Sequence, residues 1–213
     1  MAQEVFTIGH SNHPIEKFLD LLHANRIQAV ADVRSSPFSR FNPQFNRENL
    51  QNSLKKARIH YVFLGKELGA RSEDPNCYIA DKVQYDRLAN TSLFQSGLDR
   101  VIEGAENYRI ALMCAEKDPL DCHRAILVAR ELEKRGLPVA HILDDGTIET
   151  HTASISRLVR LLGISLNDMF RSNEDIIEEA YSRQSDRIAY NRRDRQPAPP
   201  LGNDSFALGR TAK

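Results

Sequence analysis

Five short apolar runs, each set against a stretch of helical periodicity, constrain this chain more than any other feature. The runs are residues 5–8, 29–33, 61–64, 110–114 and 139–143. Runs of four or five residues, apolar but for Thr7, Asp32 and His141, are too short for a helix and suit a strand buried on both faces. Between the runs the apolar positions move to three- and four-residue spacing. Ile15, Phe18, Leu19 and Leu22 follow the first run, with Pro14 suited to a first helical turn. Ala125, Val128, Ala129 and Leu132 follow the fourth, ending in Gly136 as a C-cap and Pro138 as a stop. A strand followed by a helix returns to pair in parallel. The expected fold is therefore α/β, a mostly parallel open sheet of about five strands with helices on both faces. That is a Rossmann-like three-layer sandwich, with C-terminal helices added.

At 213 residues, 41% hydrophobic and 27% charged, the chain is long enough for one well-filled core. Residues 1–150 are expected to form the α/β domain and 151–195 a helical extension packed on or beside it. Residues 196–213, rich in Pro and Gly, are expected to be a disordered tail. Lys plus Arg and Asp plus Glu number 29 each, so no bulk field recruits nucleic acid or an acidic membrane. No apolar run is long enough to span a bilayer and no secretory segment precedes the first strand. A cytoplasmic protein with reduced thiols is the expectation, so its three cysteines are chemical or buried rather than cross-linked.

The strand ends carry the chemistry. The first run stops at Gly9-His10-Ser11, the second at Asp32-Val33-Arg34, the third near Gly65 and Glu67, and the fourth at Cys114 and Glu116. In a parallel sheet these ends share one edge, where ligands of open α/β proteins bind. Cys122, His123 and Arg124 then stand where the chain enters a helix, whose positive end and cationic neighbours lower a thiol pKa. Cys122 is thus a candidate nucleophile, against the plainer reading of a small buried residue in line with Ala125 and Ala129. Cys114 divides evenly between core and site, and Cys77 sits in a loop. Glu116 and Glu67 are candidate acid–base groups. Asp32 and Arg34 share a strand face and either pair or leave Arg34 to fork an anion.

Cys114, Cys122, His123 and His10 would make a tetrahedral metal set. Against it stand the long Cys114–Cys122 spacing and the divergence of adjacent side chains on a helix. No cofactor is expected, with zinc the minority alternative. There is no glycine-rich phosphate loop, so NAD and ATP use are disfavoured. Nor does an arginine follow six residues after Cys114 or Cys122, where Leu120 and Val128 stand. That weakens a cysteine-phosphatase reading. On the last helix Arg183, Arg187, Arg192, Arg193 and Arg195 interleave with Tyr181 and Tyr190, a pattern that could touch a phosphate backbone. The acidic Glu174, Asp175, Glu178 and Glu179 just upstream favour a plain solvated helix. His13, His23, His60, His141 and His151 receive no role.

Taken together, Thr7-Ile8-Gly9-His10-Ser11, Asp32-Val33-Arg34 with Pro37 and Ser39-Arg40, residues 61–65 with Glu67-Leu68-Gly69, and Cys114-Ala115-Glu116 with Pro119 and Cys122-His123-Arg124 resemble the DUF488 family. The likeness spans about residues 5–145. Ala70 stands where the family often has a second glycine. The resemblance implies recurrent polar positions at His10, Ser11, Asp32, Arg34, Arg40, Glu67, Cys114, Glu116, Cys122, His123 and Arg124, and no stated function.

The leading expectation is an enzyme for a small anionic, nucleotide-like substrate. Arg34 and Arg124, with His10, Ser11, Asp32, Arg40 and Glu67, would bind it. Cys122, His123, Glu116 and Cys114 would act on it. The alternatives are a non-catalytic module binding a nucleotide, nucleic acid or a metal, and an interaction protein with a vestigial site.

Overall fold

A computed structural model describes residues 4–165 and 171–195. The strands are β1 (Val5–Gly9), β2 (Ala29–Asp32), β3 (His60–Phe63), β4 (Tyr78–Ile79), β5 (Lys82–Val83), β6 (Ile110–Cys114), β7 (Val139–Ile142) and β8 (Ile148–Thr150). Six of them form one sheet in the order β3-β2-β6-β1-β7-β8, while β4 and β5 pair separately. All pairings in the large sheet are parallel except β7 with β8. The expected five strands are therefore present with a sixth added. Asp145-Gly146 is the turn of the β7–β8 hairpin, and β8 is too short to show alternation in sequence.

Side chains alternate strictly across the sheet. Ala111 and Met113 of β6 join Phe6, Ile8 and Val30 in one apolar cluster, which α1 (Ile15–Ala24) and α2 (Arg47–Lys56) cover with Phe18, Leu22, Leu50 and Leu54. Ile110, Leu112 and Cys114 project to the other face. There they meet α3 (Tyr85–Ala89), α4 (Ser92–Asn107), α5 (Arg130–Lys134), α6 (His151–Leu161) and α7 (Asn173–Ile188). Each large apolar side chain buried this way contributes about 1.5–3 kcal/mol. Helices thus cover both faces, an arrangement consistent with a Rossmann-like sandwich. Among the described residues no helix is long and apolar enough to cross a membrane.

Two details shape the site. Residues Arg124–Ala129 are wound as a π-helix, with the Arg130 N–H bonded back to the Ala125 carbonyl, and all six are buried. Such wide turns recur near functional sites. Secondly, α7 starts with a Ser172–Asp175 capping box and is fastened along its length. Gln184 Nε2 donates to the buried Leu120 carbonyl at 2.6 Å, and Arg130 lies 4.5 Å over the Tyr181 ring. A buried polar chain also ties it to the sheet. Thr7 Oγ1 meets His141 Nδ1 at 2.7 Å, His141 Nε2 meets His151 Nδ1 at 3.0 Å, and His151 Nε2 meets the Tyr181 hydroxyl at 2.8 Å.

The arginines of this segment are largely paired within the chain: Arg183 with Glu179, Arg187 with Asp121 and Arg193 with Asp81. Arg192 lies over the Tyr78 ring. That removes most of the free charge a phosphate backbone would need. The expected tail, residues 196–213, and the Arg195 side chain lie outside the described residues.

Candidate functional site

Strand order makes the site. β6 enters between β2 and β1, so Cys114 ends its strand flanked by both neighbours, and the ladder runs on past the strand ends. His10 N–H donates to the Cys114 carbonyl, Ser11 N–H to that of Ala115 and Val33 N–H to that of Met113. Beyond Glu116 the chain makes a single 3₁₀ turn, Pro119–Asp121, capped by the Asp118 carboxylate accepting from Leu120 N–H. It returns at Cys122, whose backbone is extended (φ −136°, ψ 140°). The helix begins only at His123 (φ −59°, ψ −23°).

That boundary overturns the helical-divergence argument against a metal set. Cys122 precedes the helix, so its side chain and that of His123 point to a common centre. The Sγ atoms of Cys114 and Cys122 and a ring nitrogen of His123 all lie within 4.8 Å of one another, and all three residues are buried. His123 Nδ1 is 3.8 Å from each sulfur. Its Nε2 is 3.1 Å from the Val33 carbonyl, which can only accept, so Nε2 carries a proton and Nδ1 faces the sulfurs. Glu116 Oε2 accepts from the Cys122 thiol at 2.9 Å. His10, the expected fourth member, is not in the cluster.

The charges conflict. Burial alone would push the Cys122 thiol up, but the Cys114 thiol, the Arg124 guanidinium and His123 hold it well below its ordinary value. Its hydrogen bond to Cys122, together with burial, drives Cys114 well above its own. Burial and the Cys122 thiolate raise the Glu116 carboxyl. Burial would lower His123, yet the Cys122 thiolate and the Glu116 carboxylate keep it raised. Three acidic groups in one dry site thus compete for few protons.

Asp32, Arg34 and His10 form a separate unit. Asp32 is fully buried and receives Arg34 Nε at 2.9 Å and Nη2 at 2.7 Å. The Tyr61 hydroxyl also donates to it at 2.9 Å. Arg34 Nη2 further donates to the Phe45 carbonyl, and Nη1 donates to His10 Nε2 at 3.1 Å. His10 donates Nδ1–H to the Ser11 carbonyl, stacks on Phe45 at 4.3 Å, and is held neutral with its pKa pushed down to about 4 by burial and then by Arg34. Four of the five N–H groups of Arg34 are therefore committed inside the protein. The pairing branch of the Asp32–Arg34 expectation is the one observed.

Arg124 is likewise committed inward. It is fully buried and donates to the Glu116 and Lys117 carbonyls at 2.8 and 3.1 Å. Gly9 explains how it fits. A Cβ there would overlap the Glu116 carbonyl oxygen and lie 3.1 Å from Arg124 Nη2. Close approach at the third strand's end falls on Gly65 and Gly69: a Cβ would overlap the Arg34 carbonyl at the first, and the Gly65 carbonyl and Ser35 at the second.

A cleft of about 430 Å³ opens over the cluster, and Cys114, Glu116, Cys122 and His123 line it. Arg34 reaches its wall, but Ser11, Arg40 and Glu67 do not. Ser11 bonds to Asn12, Arg40 is exposed, and Glu67 pairs with Arg100 on α4. Tyr85, Arg71, Arg187 and Tyr190 also line the cleft; no sequence pattern marked Tyr85 or Arg71 as site residues, while Arg187 and Tyr190 belong to the basic, tyrosine-interleaved set near the C-terminus.

The family model described as "Domain of unknown function DUF488" matches residues 14–130. Searches of curated proteins and of solved structures found no match. The match takes in the Cys114–His123 cluster and stops short of the cleft wall at Arg187 and Tyr190. Matched over more than half its length, the chain belongs to the DUF488 family.

Proposed function

We propose that this protein is a metal-dependent hydrolytic enzyme acting on a small anionic substrate, with a zinc-class ion held by Cys114 Sγ, Cys122 Sγ and His123 Nδ1. One observation carries the reading: two sulfurs and an imidazole lone pair converge in a buried cluster, while the other ring nitrogen is fixed by the Val33 carbonyl. Two thiolates and one imidazole are a zinc donor set. A backbone acceptor on the far ring nitrogen is the usual orienting partner of a ligating histidine. A divalent cation would also relieve the competition among three neighbouring acidic groups. Three protein ligands leave a fourth position, as catalytic sites require.

An ion bound there supplies an acidified water and a Lewis acid. Glu116, 2.9 Å from Cys122 Sγ and with its carboxyl raised, would hold and move a proton at Oε2 beside the three residues that would hold the ion. Arg124 holds the Glu116 backbone carbonyl, which fixes the carboxyl's starting point. Tyr85, buried on the cleft wall, helps exclude water.

The test is turnover by zinc-loaded full-length protein across a panel of phosphorylated and carboxylated small molecules in ¹⁸O-labelled water. Zinc-dependent incorporation of label is expected, falling about 100-fold or more in Glu116→Gln. Turnover that survives chelation or Glu116→Gln, or a chain that binds no zinc, overturns the reading. A second reading, with Cys122 as nucleophile, is favoured by its lowered thiol beside His123. The two part on alkylation: zinc protects Cys122 from iodoacetamide only if the thiol is a ligand.

A further inference from the structure

Of the arginines expected to hold an anion, Arg34 spends four of its five donors inside the protein, and Arg124 is fully buried outside the cleft lining, bonded to the Glu116 and Lys117 carbonyls. Two others face the same cleft. Arg71 has its guanidinium 4.8 Å over the Tyr190 ring, and among the described residues no carboxylate pairs with it. Its backbone is pinned by its N–H donating to Ser35 Oγ at 3.0 Å. Tyr190 is pinned in turn by its carbonyl accepting from Val83 N–H at 2.9 Å. Three distant segments therefore hold one exposed cation at a set place on the wall. Arg187, the second, donates Nη2 to Asp121, and among the described residues no other acceptor takes its remaining N–H groups.

We infer that Arg71, stacked on Tyr190 and seconded by Arg187, forms an oxyanion subsite of the cleft that receives a phosphate or carboxylate group of a small substrate. The inference deepens the proposed function by naming what the substrate carries, and the anion contact itself does not depend on the metal. Stacking leaves the guanidinium edge, with its forked donors, for a planar or tetrahedral oxyanion. A cleft of about 430 Å³ suits a ligand of metabolite size. Arg187 and Tyr190 lie beyond the family match at 14–130, so this chain's own C-terminal segment supplies half of the subsite.

The experiment is a titration of chelator-treated full-length protein with inorganic phosphate, followed by ³¹P line broadening, with acetate as competitor. Binding should weaken about 10–100-fold in Arg71→Ala. It should weaken less in Arg71→Lys and about 2–5-fold in Tyr190→Leu, which loses only the stacking. Arg187→Ala should also weaken it. Preference for phosphate or for acetate assigns the group, and either supports the subsite. No binding of either anion, or unchanged affinity in Arg71→Ala and Arg187→Ala, overturns it. Binding that needs added zinc also overturns it, because the ion would then be the receptor. A chain that binds phosphate but no zinc overturns the metal reading and leaves this one standing.

Discussion

Replacing Asp32 by Asn tests whether Arg34 is an internal strut or a ligand arm. Asp32 is fully buried and Arg34 is 6% exposed, so water screens little of their interaction. The carboxylate accepts four hydrogen bonds: two from the guanidinium, one from the Arg34 backbone N–H at 3.1 Å and one from Tyr61. An amide presents donors to some of these donors and leaves the guanidinium charge uncompensated. Breaking a buried pair on one side costs about 3–5 kcal/mol. For a chain of this size that lowers the melting temperature by roughly 6–20 °C. Urea unfolding followed by circular dichroism at neutral pH reads it as a shifted midpoint with unchanged slope. Asp32→Asn with Arg34→Gln should be more stable than the sum of the singles by more than about 1 kcal/mol. A loss below about 1 kcal/mol, or strict additivity, would refute the strut.

Two further outcomes follow from the packing. His151 is buried against His141 and Tyr181, with its pKa lowered by burial from 6.5 to about 4. A lowered histidine takes up its proton in the unfolded chain first. Its contribution is therefore complete above about pH 6.5, shrinks as pH falls towards 4, and amounts to roughly 3 kcal/mol. His151→Gln should flatten the stability profile in that window by up to one proton, and an identical slope would sink the assignment. Gly9→Ala should displace the Glu116 carbonyl and Arg124 together, costing about 3 kcal/mol or more and weakening zinc binding at least tenfold. An unaltered melting temperature in that variant would show that the turn tolerates a Cβ.

The sheet was legible because β1, β2, β6 and β7 are buried on both faces and so are apolar at almost every position, Thr7, Asp32 and His141 excepted. Strand parity put Asp32 and Arg34 on one face but left open whether they pair or Arg34 reaches for a ligand, because that depends on Phe45, Tyr61 and His10 from other segments. The convergence of Cys122 with His123 was not, because it depends on the helix starting one residue later than the apolar spacing implies. His141 and His151 drew no attention in sequence, since their partners Thr7 and Tyr181 are supplied by other elements. Arg71 and Tyr190 are 119 positions apart and meet only because α7 folds back over the cleft, a contact with no local periodicity to announce it. Strand ends located the site well, but which polar groups point into the cleft and which brace the sheet behind it was a tertiary matter.

The central claim, that Cys114, Cys122 and His123 hold one ion, is tested most directly by cobalt(II) titration of the reduced, chelator-treated full-length chain. The account predicts thiolate-to-cobalt charge-transfer absorption and intense visible bands, saturating at one equivalent and bleached by zinc. The absorption should fall in Cys114→Ser and in Cys122→Ser but not in Cys77→Ser. Its absence, or its survival in the Cys114→Ser, Cys122→Ser double variant, would contradict the account.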